Sequence, residues 1–165
     1  MLKMINKRFL VLIALCISAF PAWAQGVQEI SLVFQHSLRI PNHWMEIKAI
    51  NYNGRYGLSV KVNPANDDPE WTKTKIDTMY ALTEAEFVRL KEMVTSISTK
   101  DLMNAMTGLG EDGTIWRLSF GDFQTKISFR VWSVDYDTKK RGLERYAETC
   151  KYMIELAGLK FRKIR

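Results

Sequence analysis

Between Trp44 and Asn63, apolar and polar residues alternate on both sides of the dipeptide Asn53-Gly54. A period of two sends successive side chains to opposite faces of an extended strand. Asn-Gly accepts the positive φ angles of a tight hairpin turn. The stretch is therefore expected to form two antiparallel strands, with Tyr56, Leu58, Val60 and Val62 on one face of the second. A hairpin with one apolar face is not stable alone and needs further strands or helices to cover it.

The rest of the chain supplies candidates for both. Glu29 to Phe34 places Ile30, Leu32 and Phe34 on one face, and Pro41 then interrupts the chain. After a loop rich in Pro, Asn and Asp from Pro64 to Glu70, the run Trp71 to Leu82 groups Thr74, Ile76, Thr78, Tyr80 and Leu82. Thr114 to Phe120 and Phe123 to Trp132 read as a second hairpin, hinged at Gly121-Asp122. Trp116, Leu118 and Phe120 share a face of its first strand, and Phe123, Ile127, Phe129 and Val131 share a face of its second. The period changes to three and four in two places. Thr83-Glu84-Ala85-Glu86 matches a capping box, and Phe87, Leu90, Val94 and Ile97 continue it as an amphipathic helix from Glu84 to Ile97. Arg141 to Ala157 carries the stripe Leu143, Tyr146, Ala147, Cys150, Ile154 and Ala157, stopped by Gly158. A shorter helix, Lys100 to Met106, follows a Ser98 or Thr99 cap and runs into the Gly-rich loop Thr107 to Gly113, while Ser133 to Lys140 reads as a polar loop. The expected class is α+β: a mostly antiparallel sheet of about five to six strands in meander order, with two long helices and one short helix packed on one face.

The N-terminus reads as a secretory signal peptide, residues 1–24. Lys3, Lys7 and Arg8 precede the apolar run Phe9 to Phe20, and Pro21 leads into the small-x-small site Ala22-Trp23-Ala24. The apolar run is too short for a membrane span, which takes about 20 residues, so no transmembrane segment is expected. A lipoprotein cleaved before Cys16 would want a small residue where Leu15 stands. Cleavage after Ala24 lowers the formal net charge from +6 to +3, because three cations and no acids are removed. It also leaves Cys150 as the sole cysteine, so no intramolecular disulfide is possible and the fold rests on its core. These features point to a Gram-negative periplasm, with a single domain over residues 25–158 and a basic tail over residues 159–165 that holds Lys160, Arg162, Lys163 and Arg165. Nucleic acid is not an expected partner for an exported chain, and the tail reads as a solvated terminus or as a site of attraction for an anionic surface.

Recognisable catalytic patterns are missing: no Gly-x-Ser-x-Gly elbow, phosphate-cradling glycine loop or paired zinc cysteines. His36 and His43 flank Pro41, and as metal ligands they would need remote carboxylates; they read as polar residues of a strand connection, or one of them as a surface contact residue. Cys150, on an apolar helical stripe, reads as an inert buried thiol rather than a nucleophile. Gly108-Leu109-Gly110 is followed by Glu111 and Asp112, which would repel phosphate. Asp67, Asp68 and Glu70, like Asp135 and Asp137, do not match a calcium loop and read as solvated. No catalytic, metal or cofactor residue is assigned, and no cofactor is expected.

The aromatic content stands out, with Trp44, Trp71, Trp116 and Trp132 beside Tyr52, Tyr56, Tyr80 and Tyr136. If Phe129 and Val131 face the core, Lys126, Ser128, Arg130 and Trp132 share the opposite face. That face is either an interaction surface, with Lys126, Arg130 and Trp132 as its binding residues, or is covered by the N-terminal strands or a loop. The segments Asp112-Gly113-Thr114-Ile115-Trp116, Val131-Trp132-Ser133 and Arg141-Gly142-Leu143-Glu144 resemble, over roughly 50 C-terminal residues, a pattern in small exported bacterial proteins of unassigned function. The resemblance implies a hairpin followed by a helix and brings no catalytic residue with it. The function expected is that of an exported, non-enzymatic binding protein with a protein partner in the periplasm, such as an immunity protein or an inhibitor of a toxin or wall-degrading enzyme. The competing readings are a periplasmic hydrolase using carboxylates, which calls for a deep pocket with converging polar groups, and a carrier of a small apolar ligand, which calls for an enclosed apolar cavity.

Overall fold

The computed structural model describes residues 26–36, 44–63, 75–105 and 113–159. The expected signal peptide with Cys16, the residues Pro41 and His43, the stretch from Pro64 through Trp71 to Thr74, the expected loop from Met106 to Asp112 and the tail from Lys160 lie outside them.

Six strands form one antiparallel sheet: β1 Glu29–His36, β2 Trp44–Tyr52, β3 Arg55–Asn63, β4 Ile76–Ala81, β5 Thr114–Gly121 and β6 Lys126–Trp132, in the order β4-β3-β2-β1-β5-β6. Among the described residues the helices are α1 Glu84–Thr95, α2 Thr99–Ala105 and α3 Glu144–Leu156. The order departs from a simple meander, because β5 pairs with β1 and not with β4. The segment holding α1 and α2 connects the β4 edge to the far side of β1, so the first strand of the chain becomes central.

Period two holds throughout the sheet. On one face, Leu32 of β1 sits opposite Ile47 and Leu118, and Phe34 sits opposite Met45 and Trp116. Ile47 in turn faces Val60 on β3, and Trp116 faces Val131 on β6. These side chains are almost fully buried and share one cluster with Phe87, Leu90 and Val94 of α1, Leu102 of α2, and Tyr146, Cys150, Met153 and Ile154 of α3. Each large apolar side chain so buried stabilises the fold by about 1.5–3 kcal/mol relative to exposure. Phe34 and Trp116 meet edge-on with ring centroids 4.8 Å apart. Both edge strands extend beyond the cover. Tyr80 on β4 and Ile127 on β6 lie in register with the buried Leu58 and the half-buried Phe120, yet are 43% and 52% exposed.

The capping box is present at α1: the Glu86 N–H donates to Thr83 Oγ1 at 3.2 Å, and the Thr83 N–H donates to Glu86 Oε2 at 2.8 Å. At Asn53-Gly54 both residues have positive φ, 52° and 79°, as a tight turn between β2 and β3 requires.

Several boundaries differ from the sequence reading: β1 runs on to His36, and α1 ends at Thr95 rather than Ile97. β4 begins at Ile76 and ends at Ala81, and Leu82 follows it as a buried residue whose N–H donates to Tyr56 O. α2 begins at Thr99 rather than Lys100. The hinge of the second hairpin is four residues, Asp122 to Thr125, not two. The Asp122 carboxylate accepts the Gln124 and Thr125 N–H groups, and the Asp122 N–H donates to Thr125 O at 3.0 Å. This side-chain-stabilised turn takes Phe123 out of β6, where alternation had placed it, and leaves it 48% exposed beside Tyr52, with ring centroids 6.1 Å apart. Finally, α3 begins at Glu144, with Leu143 as its N-cap, so Arg141 precedes the helix instead of opening it. The Arg141 guanidinium is committed elsewhere, donating to the carbonyls of Trp132 at 2.8 Å, Ser133 at 2.7 Å and Tyr136 at 3.0 Å. It closes the 133–140 loop onto the end of β6.

Candidate partner-binding face

The three helices place their described buried side chains on one side of the sheet, and among the described residues no helix contributes to the other. That second face can be followed rung by rung. Asp77, Lys61, Glu46, Val33, Arg117 and Arg130 form one row across β4, β3, β2, β1, β5 and β6. The adjoining row is Met79, Ser59, Lys48, Ser31, Ser119 and Ser128.

Lys126, Arg130 and Trp132, the three residues expected to share the outward face of the last strand, do lie on it, but in different environments. Lys126 is partnered within the chain, its Nζ 2.8 Å from Oε1 of Glu29, whose side chain is only 9% exposed. Lys48 approaches the same carboxylate at 3.9 Å and Glu46 at 3.6 Å. Four charges thus settle into one network on β1, β2 and β6. Arg130 is exposed and faces Arg117 directly across the β5–β6 ladder. Trp132 is half-buried opposite Ile115, its ring 6.0 Å from that of Tyr136. The main chain lies tight against the indole at Gly113: a Cβ there would stand 2.5 Å from Trp132 Nε1, and φ is +153°. Arg141, by gripping the carbonyls on both sides of the turn, fixes the place from which Trp132 and Tyr136 project.

The covered side explains the remaining candidates. Cys150 is fully buried in α3, and burial pushes its thiol pKa far up, which disfavours the thiolate a nucleophile needs. The Tyr146 hydroxyl crosses from α3 to the sheet, accepting the Leu118 N–H at 3.1 Å and lying 2.9 Å from Trp116 O and 3.2 Å from Phe129 O. Its pKa is raised well above the ordinary value, chiefly by burial. His36 ends β1 with its ring tilted 6.5 Å from that of Phe34. Asp135 and Asp137 are exposed, and their charges support the Arg141 cation against the burial that lowers its pKa. Among the described residues, no group of three His, Cys, Asp or Glu side chains is placed to hold a metal ion, and no helix is long and apolar enough to cross a membrane.

Among the described residues, depressions that open to solvent border α3. One, about 350 Å³, lies between Val134, Asp135 and Thr138 of the loop and Ala147 and Lys151 of the helix. Another, about 200 Å³, is lined by Met93, Lys151 and Tyr152, with the Arg89 guanidinium stacked 4.6 Å above the Tyr152 ring.

Sequence reasoning overlooked Arg117 and Arg141. Arg117 alternates with Trp116 and Leu118 and so was legible as an outward residue, but its pairing with Arg130 depends on the length of the hinge. Arg141 resembled an ordinary first-turn helix residue, and nothing local distinguished it. No protein-family model matches this chain, and no curated protein does either.

Proposed function

We propose that the protein is an exported, non-enzymatic binding module that engages a protein partner in the periplasm, in the manner of immunity proteins and inhibitors of toxins or wall-degrading enzymes. The observation that carries this reading is the second sheet face, where Arg130 and Trp132 stand beside each other and, among the described residues, no helix lies over them. Trp and Arg are the residues that most often supply binding energy at the centre of an interface. The signal-peptide pattern and the resemblance to small exported bacterial proteins support the export half of the reading. Burial of Cys150 speaks against a thiol nucleophile. Lys126 serves the face by holding Glu29, and binding energy is assigned to Arg130 and Trp132.

An affinity capture from periplasmic extract, supplemented by the products of neighbouring genes, tests the proposal. A toxin or wall hydrolase that co-purifies with the wild type, and is released when Arg130→Ala and Trp132→Ala each remove more than about 2 kcal/mol of binding, is the expected outcome. A Trp132→Ala protein that binds normally but melts many degrees lower would assign the indole to the fold and remove the proposed anchor. Mass measurement should find the exported N-terminus at Gln25; a diacylated species beginning at Cys16 would replace a free periplasmic protein with a membrane-anchored one.

A further inference from the structure

Three consecutive rungs of the β5–β6 hairpin differ in chemistry on the uncovered face. Ser119 and Ser128 form a hydroxyl rung, their Oγ atoms hydrogen-bonded at 2.9 Å. Arg117 and Arg130 form a cationic rung, and Ile115 and Trp132, extended by Tyr136, form an apolar one. Like charges directly opposite in an antiparallel pair are destabilising. The face has neutralised other cations, since Lys126 and Lys48 share Glu29 and Glu46. Among the described residues, however, no acid lies within ion-pair distance of either arginine, and both are exposed. An unneutralised guanidinium pair beside an apolar rung is complementary to an anion with an apolar group close by.

We infer that this hairpin face receives an acidic segment of a partner protein, its carboxylate held between Arg117 and Arg130 and a neighbouring apolar side chain resting on Ile115 and Trp132. Rungs on one face repeat every two residues, roughly 7 Å apart, a separation that a polypeptide reproduces between alternate side chains. A carboxylate suits the planar donor forks of arginine, and the serine hydroxyls can donate to its outer oxygen. The inference rests on the proposed binding function and deepens it by giving the partner's chemistry.

The test uses the complete exported chain, isotopically labelled, and follows backbone amide resonances. The probes are a capped peptide with glutamate two positions from leucine, its glutamine and serine analogues, acetate, inorganic phosphate and phosphatidylglycerol vesicles. The glutamate–leucine peptide should perturb residues 115–119 and 128–132 and bind at least about tenfold more tightly than either analogue, a factor equal to about 1.4 kcal/mol. Arg117→Gln and Arg130→Gln should each weaken it about tenfold or more, whereas Lys61→Gln on the far side of the face should not. Arg117→Glu separates binding from folding: it places an acid opposite Arg130, so binding should be lost while the melting temperature holds or rises. Equal binding of the glutamine analogue, or indifference to both arginine variants, overturns the inference. Acetate or phosphate binding as tightly as the peptide would make this a bare anion site, and vesicle binding that needs both arginines would make it a membrane contact; either overturns it. A captured periplasmic partner that binds the Arg117→Gln/Arg130→Gln protein normally leaves the binding function standing and removes only this site. Peptide binding with no captured partner does the reverse.

Discussion

Phe34 and Val33 are neighbours in β1, yet they belong to different regimes. Phe34 is 1% exposed, wedged between Met45 and Trp116 under the helices. Val33 is half-buried between Glu46 and Arg117, and among the described residues no helix lies above it. The covered face is organised by shape, because close-packed side chains tolerate neither voids nor excess volume. The other is organised by charge, and there a side chain answers mainly to its nearest opposite or like charge. The two faces should therefore respond to mutation on different scales.

Truncation should separate the two faces most. Phe34→Ala should cost about 3–5 kcal/mol, through lost burial and the cavity left behind, and Val33→Ala less than about 1 kcal/mol; urea unfolding of the pair measures both, and similar costs would mean that the second face is also covered. Next is the polar contact that joins the layers. Tyr146→Phe leaves the Leu118 N–H without its hydroxyl acceptor and should cost about 1–3 kcal/mol, with faster exchange of the Leu118 amide. On the charged face, Lys126→Ala should cost on the order of 1 kcal/mol, because the little-exposed Glu29 carboxylate would keep only the longer Lys48 contact. Lys48→Ala should cost less, and added salt should shrink both effects.

The smallest effect lies in the turns and caps at the margins of both faces. The Glu86 carboxyl has a lowered pKa because the Thr83 hydroxyl and backbone N–H donate to it, and Asp122 is lowered by the Thr125 and Gln124 N–H groups. For a carboxylate lowered in the native state, the stabilisation is present above the unfolded value and is lost as pH falls through the native one. Acid unfolding of Asp122→Asn and Glu86→Gln should therefore diverge from wild type above the ordinary carboxylate values of 3.8 and 4.5 and converge below them. Parallel curves down to the acid limit would show that these carboxylates have no such role.

Much of this was legible locally. The helix start at Thr83 follows from one Thr and one Glu three residues apart, and the β2–β3 turn follows from Asn53-Gly54. The outward set Lys126, Arg130 and Trp132 follows from alternation with Phe129 and Val131. Local pattern failed where a side chain bonded to something distant or merely possible. Asp122 could equally have belonged to a two-residue hinge, and Arg141 to a first helical turn, until their bonds to Thr125 and Trp132 were made.

Alternation alone assigns each strand residue to a face, because it is a property of the extended backbone and needs no partner. Which residues stand side by side depends on how the strands meet in the folded chain. A two-residue hinge would set Arg117 opposite Lys126, and the four-residue loop sets it opposite Arg130. Both registers keep every side chain on its own face, since the partner moves by an even number of residues, so alternation cannot tell them apart. The same indifference extends to strand order. The α1–α2 connection delivers β5 to β1, where its apolar face joins the covered core, and only non-local burial chooses that edge over the one at β4. Register and edge together bring two arginines face to face on the side that no described helix covers.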